Sequence, residues 1–483
     1  MRRLILRTEI EFTSPMRIGS SKEDISDSPI LRNEDGLPYI PGTTWAGILR
    51  SAAYELSHQQ HFLKAWFGST DDENADNGNP SKILTNDSII LWNESTNVIS
   101  VAIRDGVAID ANRGVAVENK KFDYEVLPVG VKFPFELELH LSGVESSEEI
   151  VLFFRLLKEF QEKRLQIGSK TSRGFGHFQT NQPWRVWDFA FEGNSLLAYR
   201  SWLRWSLDET ALEMMEFQTP EDIADRLFSV KMHYYPELLL SRDELSITVN
   251  IKVDGSLLVR SISLDPETDS IQLKQVAVLE NKELPVLPGS SIAGVLRARA
   301  HRIVRTVHGE HNSGLVNLLF GNADSDKNTA SRVRVDDCCL TEGTEMIHTR
   351  VRIDHFTGGA MENYLFTEAP TYRGHGELKL GLRLAGLEED SIQDGIALML
   401  LIFKDLWSGD LHFGGEAGIG RGRLHVTDAK IQLMLNKSTQ EWSLSRQSFS
   451  SEGRISDMES FRMEGNPDEL EAYVQHFAKE VAL

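Results

Sequence analysis

Apolar and polar positions alternate along residues 3 to 12 and again along 245 to 253, the spacing of a strand with one buried face. The same period of two runs through Phe133-Pro-Phe-Glu-Leu-Glu-Leu-His140 and Gly376-Glu-Leu-Lys-Leu-Gly-Leu-Arg383. Longer windows predict helices over about 44–66, 147–164, 291–320, 391–406 and 467–481. Two of these begin at a Pro-Gly turn followed by hydroxyl residues suited to N-capping, at 41–44 and 288–291. Both of those end on a Phe-Gly pair, Phe67-Gly68 and Phe320-Gly321, where glycine takes the positive φ of a helix stop. An antiparallel sheet with helices on one face is the α+β class.

These elements recur in one order. Leu37-Pro-Tyr-Ile-Pro41-Gly42-Thr-Thr-Trp-Ala-Gly47-Ile-Leu-Arg50 returns as Leu284-Pro-Val-Leu-Pro288-Gly289-Ser-Ser-Ile-Ala-Gly294-Val-Leu-Arg297, an offset of 247 residues. The glycine-rich stretch Gly168–Gly176 returns as Gly414–Gly422 at an offset of 246. Such a duplication predicts two copies of one domain, at 1–183 and 241–432. Between them, 184–240 holds Trp184, Trp187, Trp202 and Trp205 and reads as a packed connector, while 433–483 reads as a polar tail with one helix and a mobile serine-rich segment at 443–454.

Composition narrows the function classes. The 483 residues are 41% hydrophobic and 25% charged, and no apolar run nears the roughly 18 residues of a membrane helix, so no membrane partner is expected. Two adjacent cysteines, Cys338 and Cys339, form neither a disulfide framework nor a zinc site, which points to the cytoplasm. The formal charge of −21 weighs against a nucleic-acid binder unless the basic residues gather locally.

Such gathering is visible at the glycine loops. Lys170, Ser172 and Arg173 in the first, with Arg421 and Arg423 in the second, pair backbone N–H groups with charges that suit phosphate; an ordinary tight turn is the plain alternative. The glycines of the Pro-Gly elements are spaced as in a nucleotide-binding P-loop, but Ile48 and Val295 stand where that motif demands lysine, which disfavours an ATPase. Thr43, Thr44, Ser290 and Ser291, at helix N-termini, with Arg50 and Arg297 two turns later, form a second candidate phosphate set. Segments 104–126 and 350–370 supply Arg104, Arg113, Lys120, Lys121, Arg350, Arg352 and His355 for backbone contact; Phe122, Phe356 and Phe366 stack on bases or pack in a core.

The Pro-Gly-Ser/Thr-Ser/Thr-x-x-Gly-x-x-Arg helix start, paired with a later glycine-rich loop, resembles the RAMP superfamily of CRISPR-associated proteins. The string Asp27-Ser28-Pro29-Ile30-Leu31-Arg32 is similar to the backbone subunit of type III complexes, here with two such domains fused as in a III-D-like complex. That resemblance implies tandem ferredoxin-like, RRM-type domains with thumb insertions. It implies binding to CRISPR guide RNA and complementary target RNA, with other RAMP backbone subunits and a large subunit as partners. It also implies that Asp27 is the catalytic residue of a target-RNA endoribonuclease using Mg2+ or another divalent cation, with Glu23 and Asp24 as ligands or solvated loop charges. A non-catalytic guide scaffold and a guide-processing endonuclease are the alternatives. Counting back from Pro288 puts Lys274 where Asp27 stands; Asp265 or Asp269 substitutes if the loop is longer, but the simpler expectation is one active site, in the first domain, with a second domain that binds without cutting or cuts poorly.

Overall fold

The computed structural model describes residues 1–20, 27–57, 60–69, 78–91, 101–110, 115–162, 164–180, 182–191, 196–208, 214–235, 243–261, 268–277, 282–309, 314–322, 329–446 and 461–479. They form two compact units, one spanning 1–103, 123–171 and 175–241, the other 104–122, 172–174 and 242–483.

In the first unit the strand Arg2–Phe12 lies between Lys132–Leu141 and Trp184–Ala190, all antiparallel, with Ile83–Thr85 beyond the former and Met215–Phe217 beyond the latter. Phe178–Thr180 pairs with the far end of the central strand. Helices Gly42–Ser57 and Ser147–Gln161 cover one face. Its core is aromatic: the Trp45 and Phe135 rings lie 4.9 Å apart edge to face, and Phe135 and Phe160 are 4.7 Å apart. The opposite face is covered too, because Ile5, Trp187 and Phe189 receive Trp202 and Trp205 from helix Leu196–Leu207.

The second unit repeats the sheet, with Glu244–Asp254 between His375–Arg383 and Arg423–Leu435 and Val333–Val335 on the outside. Helices Gly289–His308 and Glu389–Trp407 pack on it. Both copies thus follow the strand–helix–strand–strand–helix–strand order of a ferredoxin-like fold, and the α+β expectation holds.

Two boundaries differ from those read in the sequence. The expected connector supplies the strand Trp184–Ala190, whose Trp184 and Val186 are fully buried, so it is part of the first sheet. The expected tail supplies Ser438–Arg446 and Phe461–Glu464, which extend the second sheet, and helix Pro467–Lys479, which packs on Glu389–Trp407. Both stretches are polar on one face only, and their apolar positions find that sheet or helix. Residues 447–460 lie outside the described set. Among the described residues no helix is long and apolar enough to cross a membrane. Burial pushes the thiols of Cys338 and Cys339 up to about 12 and about 11, so both stay protonated at neutral pH.

The turn into helix Ser147–Gln161 is pinned by charge. Glu145 accepts Lys82 Nζ at 2.8 Å and the amide and hydroxyl of Ser142 at 2.9 and 2.7 Å. Burial alone pushes this carboxyl up, but those donors outweigh it and bring it down to about 2. A depressed carboxyl stabilises the fold above its unfolded pKa and loses that contribution as pH falls through its folded one. Glu145→Gln is therefore expected to cost about 1–3 kcal/mol near pH 7. Urea titrations at descending pH should show the gap to the native protein closing between pH 4.5 and about 2.

Candidate nucleic-acid interface

In the first unit the chain leaving the central strand, the returning strand of a long hairpin and the glycine loop converge. The hairpin strands are Ala102–Ile109 and Ala116–Val126; only the base, 102–103 and 123–126, belongs to the first unit. Exposed Asp27 faces its base at half-buried Asp123. The two residues bond reciprocally: the Asp27 N–H donates to Asp123 Oδ1 at 2.7 Å, and the Asp123 N–H donates to Asp27 Oδ2 at 3.0 Å. Two residues on, buried Glu125 takes the Ile30 N–H at 3.0 Å and Arg32 Nη2 at 3.3 Å, and its own N–H donates to the Ser28 carbonyl at 3.1 Å. The Asp27–Arg32 segment is thereby clamped along the hairpin's returning strand.

The glycine loop closes the other side. Its Ser169 N–H donates to the Arg17 carbonyl at 2.7 Å, and Arg17 Nη1 donates to Ser169 Oγ at 3.0 Å. Gly168, at φ +89°, lies against that same carbonyl, where a Cβ would collide. Lys170 then carries its ammonium to 4.0 Å from the ring centre of Tyr124, the residue between Asp123 and Glu125. Arg17 also reaches the Ser28 carbonyl at 3.4 Å; burial lowers its pKa, against the pull of Tyr124 and Glu125. Arg17 and Lys170 thus both lie over the buried Tyr124 ring, next to the hairpin base that holds Asp27.

Of the residues singled out in the sequence, this arrangement joins Asp27 and Lys170. Asp123 and Tyr124 were missed; they carry no motif, and their only signal is the Asp-Tyr-Glu run where the hairpin passes from exposed to buried.

Several expected phosphate ligands are committed elsewhere. Arg421 is buried, donating to Glu368 at 2.9 Å and Glu416 at 2.5 Å, because two carboxylates lie within its reach. Within the second unit Arg173 donates to the carbonyls of Ser172 and Val333 at 3.1 and 3.4 Å, and burial, then Arg297, lowers its pKa. Ser172 lends that contact its carbonyl, and Arg297 donates to Asn317 Oδ1 at 3.2 Å. Arg104 is buried there as well, paired with Asp337 at 2.7 Å.

The Pro-Gly helix starts also differ from expectation. The Gly42 N–H donates to Asp87 Oδ1 at 2.7 Å and the Gly289 N–H to Asp337 Oδ1 at 2.8 Å. Each helix start thus already holds a carboxylate, which repels a phosphate. Both glycines are needed because a Cβ would collide with the carbonyls of Thr85 or Val335. The hydroxyl residues Thr43 and Ser290 are exposed, and Thr44 and Ser291 half-buried, beside those capped starts. Arg50 lines a separate cavity of about 800 Å³ with Lys64, Tyr54 and Ser81.

The second expected thumb is a hairpin of His348–Ile353 and Ala360–Ala369. Exposed Arg352 lies 5.2 Å over Tyr364, and Phe356 at the tip is 95% exposed. Phe122 and Phe366 are 42% and 43% exposed, so these aromatics are not core. Arg423 is exposed at the start of its strand, whereas Lys274 pairs with Glu345 at 3.1 Å on a strand of its own. Arg113, Glu23 and Asp24 lie outside the described residues. Among the described residues no three or more His, Cys, Asp or Glu converge to hold a metal ion.

A sequence model of the RAMP superfamily matches residues 9–179 and 255–425, one match in each repeat. No curated protein sequence matches the chain.

The reciprocal bonds between Asp27 and Asp123 make a direct prediction. Asp123→Ala removes the oxygen that accepts the Asp27 N–H, while Asp123→Asn retains one. Amide hydrogen exchange should show Asp27 losing about tenfold or more of its protection in the alanine variant and little in the asparagine variant, since a charge-assisted bond of this kind contributes about 1.5–3 kcal/mol.

Proposed function

We propose, from the premise that this chain belongs to the RAMP superfamily, that it is a backbone subunit of a type III CRISPR effector complex which binds guide RNA and cuts the complementary target strand at Asp27. One observation carries the reading: an exposed aspartate, Asp27, is bonded through its N–H and its carboxylate to Asp123 at the base of a hairpin, and the next residue, Tyr124, carries the lysine of a glycine loop over its ring. Exposed cationic and aromatic side chains on both hairpins suit the phosphates and base faces of an RNA duplex recognised by shape. In this reading its partners are guide RNA, target RNA, further RAMP subunits and a large subunit, in the cytoplasm.

The chemistry is a transesterification. The target ribose 2′-OH gives its proton to the Asp27 carboxylate, its oxygen bonds to the adjacent phosphorus, and the bond from phosphorus to the 5′ oxygen breaks. The leaving oxygen takes a proton from water, giving a 2′,3′-cyclic phosphate and a 5′-hydroxyl. Asp27 and Asp123 are hard oxygen donors, the type that holds Mg2+ through one or two carboxylates together with substrate phosphates. When bound there, the ion would neutralise charge on the phosphate. Lys170, Arg17 and the hairpin hold and orient the strand.

Asp27→Ala in the guide-loaded complex is expected to abolish one cleavage product of an end-labelled complementary RNA, with a rate loss of about 100-fold or more and unchanged target binding. Gel analysis with Mg2+ present reads both. Persistence of every product would leave a guide scaffold as the function.

A further inference from the structure

The second repeat was expected to lack the aspartate, with Lys274 in its place. That register follows from counting back from Pro288, and the backbone shows a different one. In the first unit the Gly176 N–H donates to the Pro15 carbonyl at 2.8 Å and the Ser169 N–H to the Arg17 carbonyl at 2.7 Å. In the second the Gly422 N–H donates to the Ser256 carbonyl and the Gly415 N–H to the Leu258 carbonyl, both at 2.8 Å. Pro15 and Arg17 therefore correspond to Ser256 and Leu258, an offset of 241 residues rather than 247. The difference is taken up by the strands Lys274–Ala277 and Lys282–Leu287, which pair with each other and carry Lys274 away from the glycine loop's partner segment.

Asp269-Ser270 lies 242 residues beyond Asp27-Ser28, one residue past that register, and its bonds to the hairpin make it the counterpart. Asp269 is exposed, and it makes the same type of reciprocal link to the returning strand of its own hairpin. Its Oδ2 accepts the Thr367 N–H at 2.8 Å, and its N–H donates to the Thr367 carbonyl at 2.8 Å. Ser270 pairs with Glu368, the buried carboxylate that follows Thr367, as Ser28 meets Glu125. Around Glu368 gather Arg421 at 2.9 Å, Arg260 at 3.2 Å and Arg350. Half-exposed Arg350 and exposed Arg260 pair with Glu368 and also with Glu416, which stands in the second glycine loop where Lys170 stands in the first.

We propose that Asp269 is the carboxylate of a second RNA-cleaving site, in the second repeat, acting on the same target strand at a different phosphodiester. This rests on the reading of Asp27 as the residue that takes the 2′-OH proton. The step is the same: the 2′-OH proton passes to Asp269, the 2′ oxygen bonds to phosphorus, the 5′ oxygen leaves and is protonated by water. Two differences distinguish the sites: Glu416 replaces Lys170 in the glycine loop, and the link to the hairpin is built differently. Asp27 has a second carboxylate, Asp123, at its link, whereas Asp269 is linked through the Thr367 main chain, so the second site has one aspartate where the first has two.

The test uses the full-length chain in its guide-loaded complex, as wild type, Asp27→Ala, Asp269→Ala, Asp269→Asn and the double alanine variant, with complementary RNA labelled at either end. Asp269→Asn keeps an oxygen to accept the Thr367 N–H, so its loss of cleavage does not come from a loosened loop. The expected result is that both Asp269 variants lose one product by about 100-fold or more, a product that Asp27→Ala retains, while target binding is unchanged. The double variant should lose both. If Asp27→Ala removes a product and the Asp269 variants remove none, or remove the same one, the second site is refuted and the first stands. If neither aspartate matters, the reading of Asp27 has failed and the second site with it.

Discussion

Each repeat depends on one close approach of backbone to backbone. The chain leaving the central strand runs against the glycine loop so tightly that a Cβ on Gly168 would strike the Arg17 carbonyl, and one on Gly414 the Leu258 carbonyl. Positive φ at both glycines lets the loop turn there. The loop then offers its amides to the departing chain, and that chain in turn lies along the hairpin base. In each repeat the departing chain is held to the loop by main-chain bonds and to the hairpin by the aspartate, while the side chains around them differ between repeats.

That division accounts for how a chain of formal charge −21 can carry the proposed RNA-binding surface. Acid is used inside the scaffold: Glu125 and Glu368 organise loops, Asp87 and Asp337 cap helices, and Glu145 anchors a turn. Several arginines answer those carboxylates and are thereby withdrawn from the surface, Arg421 and Arg104 most completely. The positive charge left for a polyanion is local, on Lys170, Arg423, Arg352 and the hairpins.

The duplication, the α+β class and the helix ends were legible because they rest on periodicity and on glycine placement, which are local properties. Burial of an arginine is not local. Arg421 beside three glycines looked like a phosphate ligand, yet its partners Glu368 and Glu416 include one 53 residues away. Helix starts at Gly42 and Gly289 looked open to phosphate for the same reason; the carboxylates that occupy them lie 45 and 48 residues on. The misplacement of Lys274 had another cause, an inserted strand pair between two well-marked landmarks, which a single offset cannot detect. Asp27 and Lys170 were found by their motifs, but nothing in the sequence said that Tyr124 would join them.

The central claim is that RNA lies across the surface made by Asp27, Lys170 and the glycine loop. Photo-crosslinking of the guide-loaded complex to target RNA, with the crosslinked peptides located by mass spectrometry, tests it most directly. Crosslinks should concentrate at residues 27–28 and 168–170 and on the exposed aromatics of the hairpins. Crosslinks confined to the cavity around Arg50 and Lys64, with none at residues 27–28 or 168–170, would contradict it.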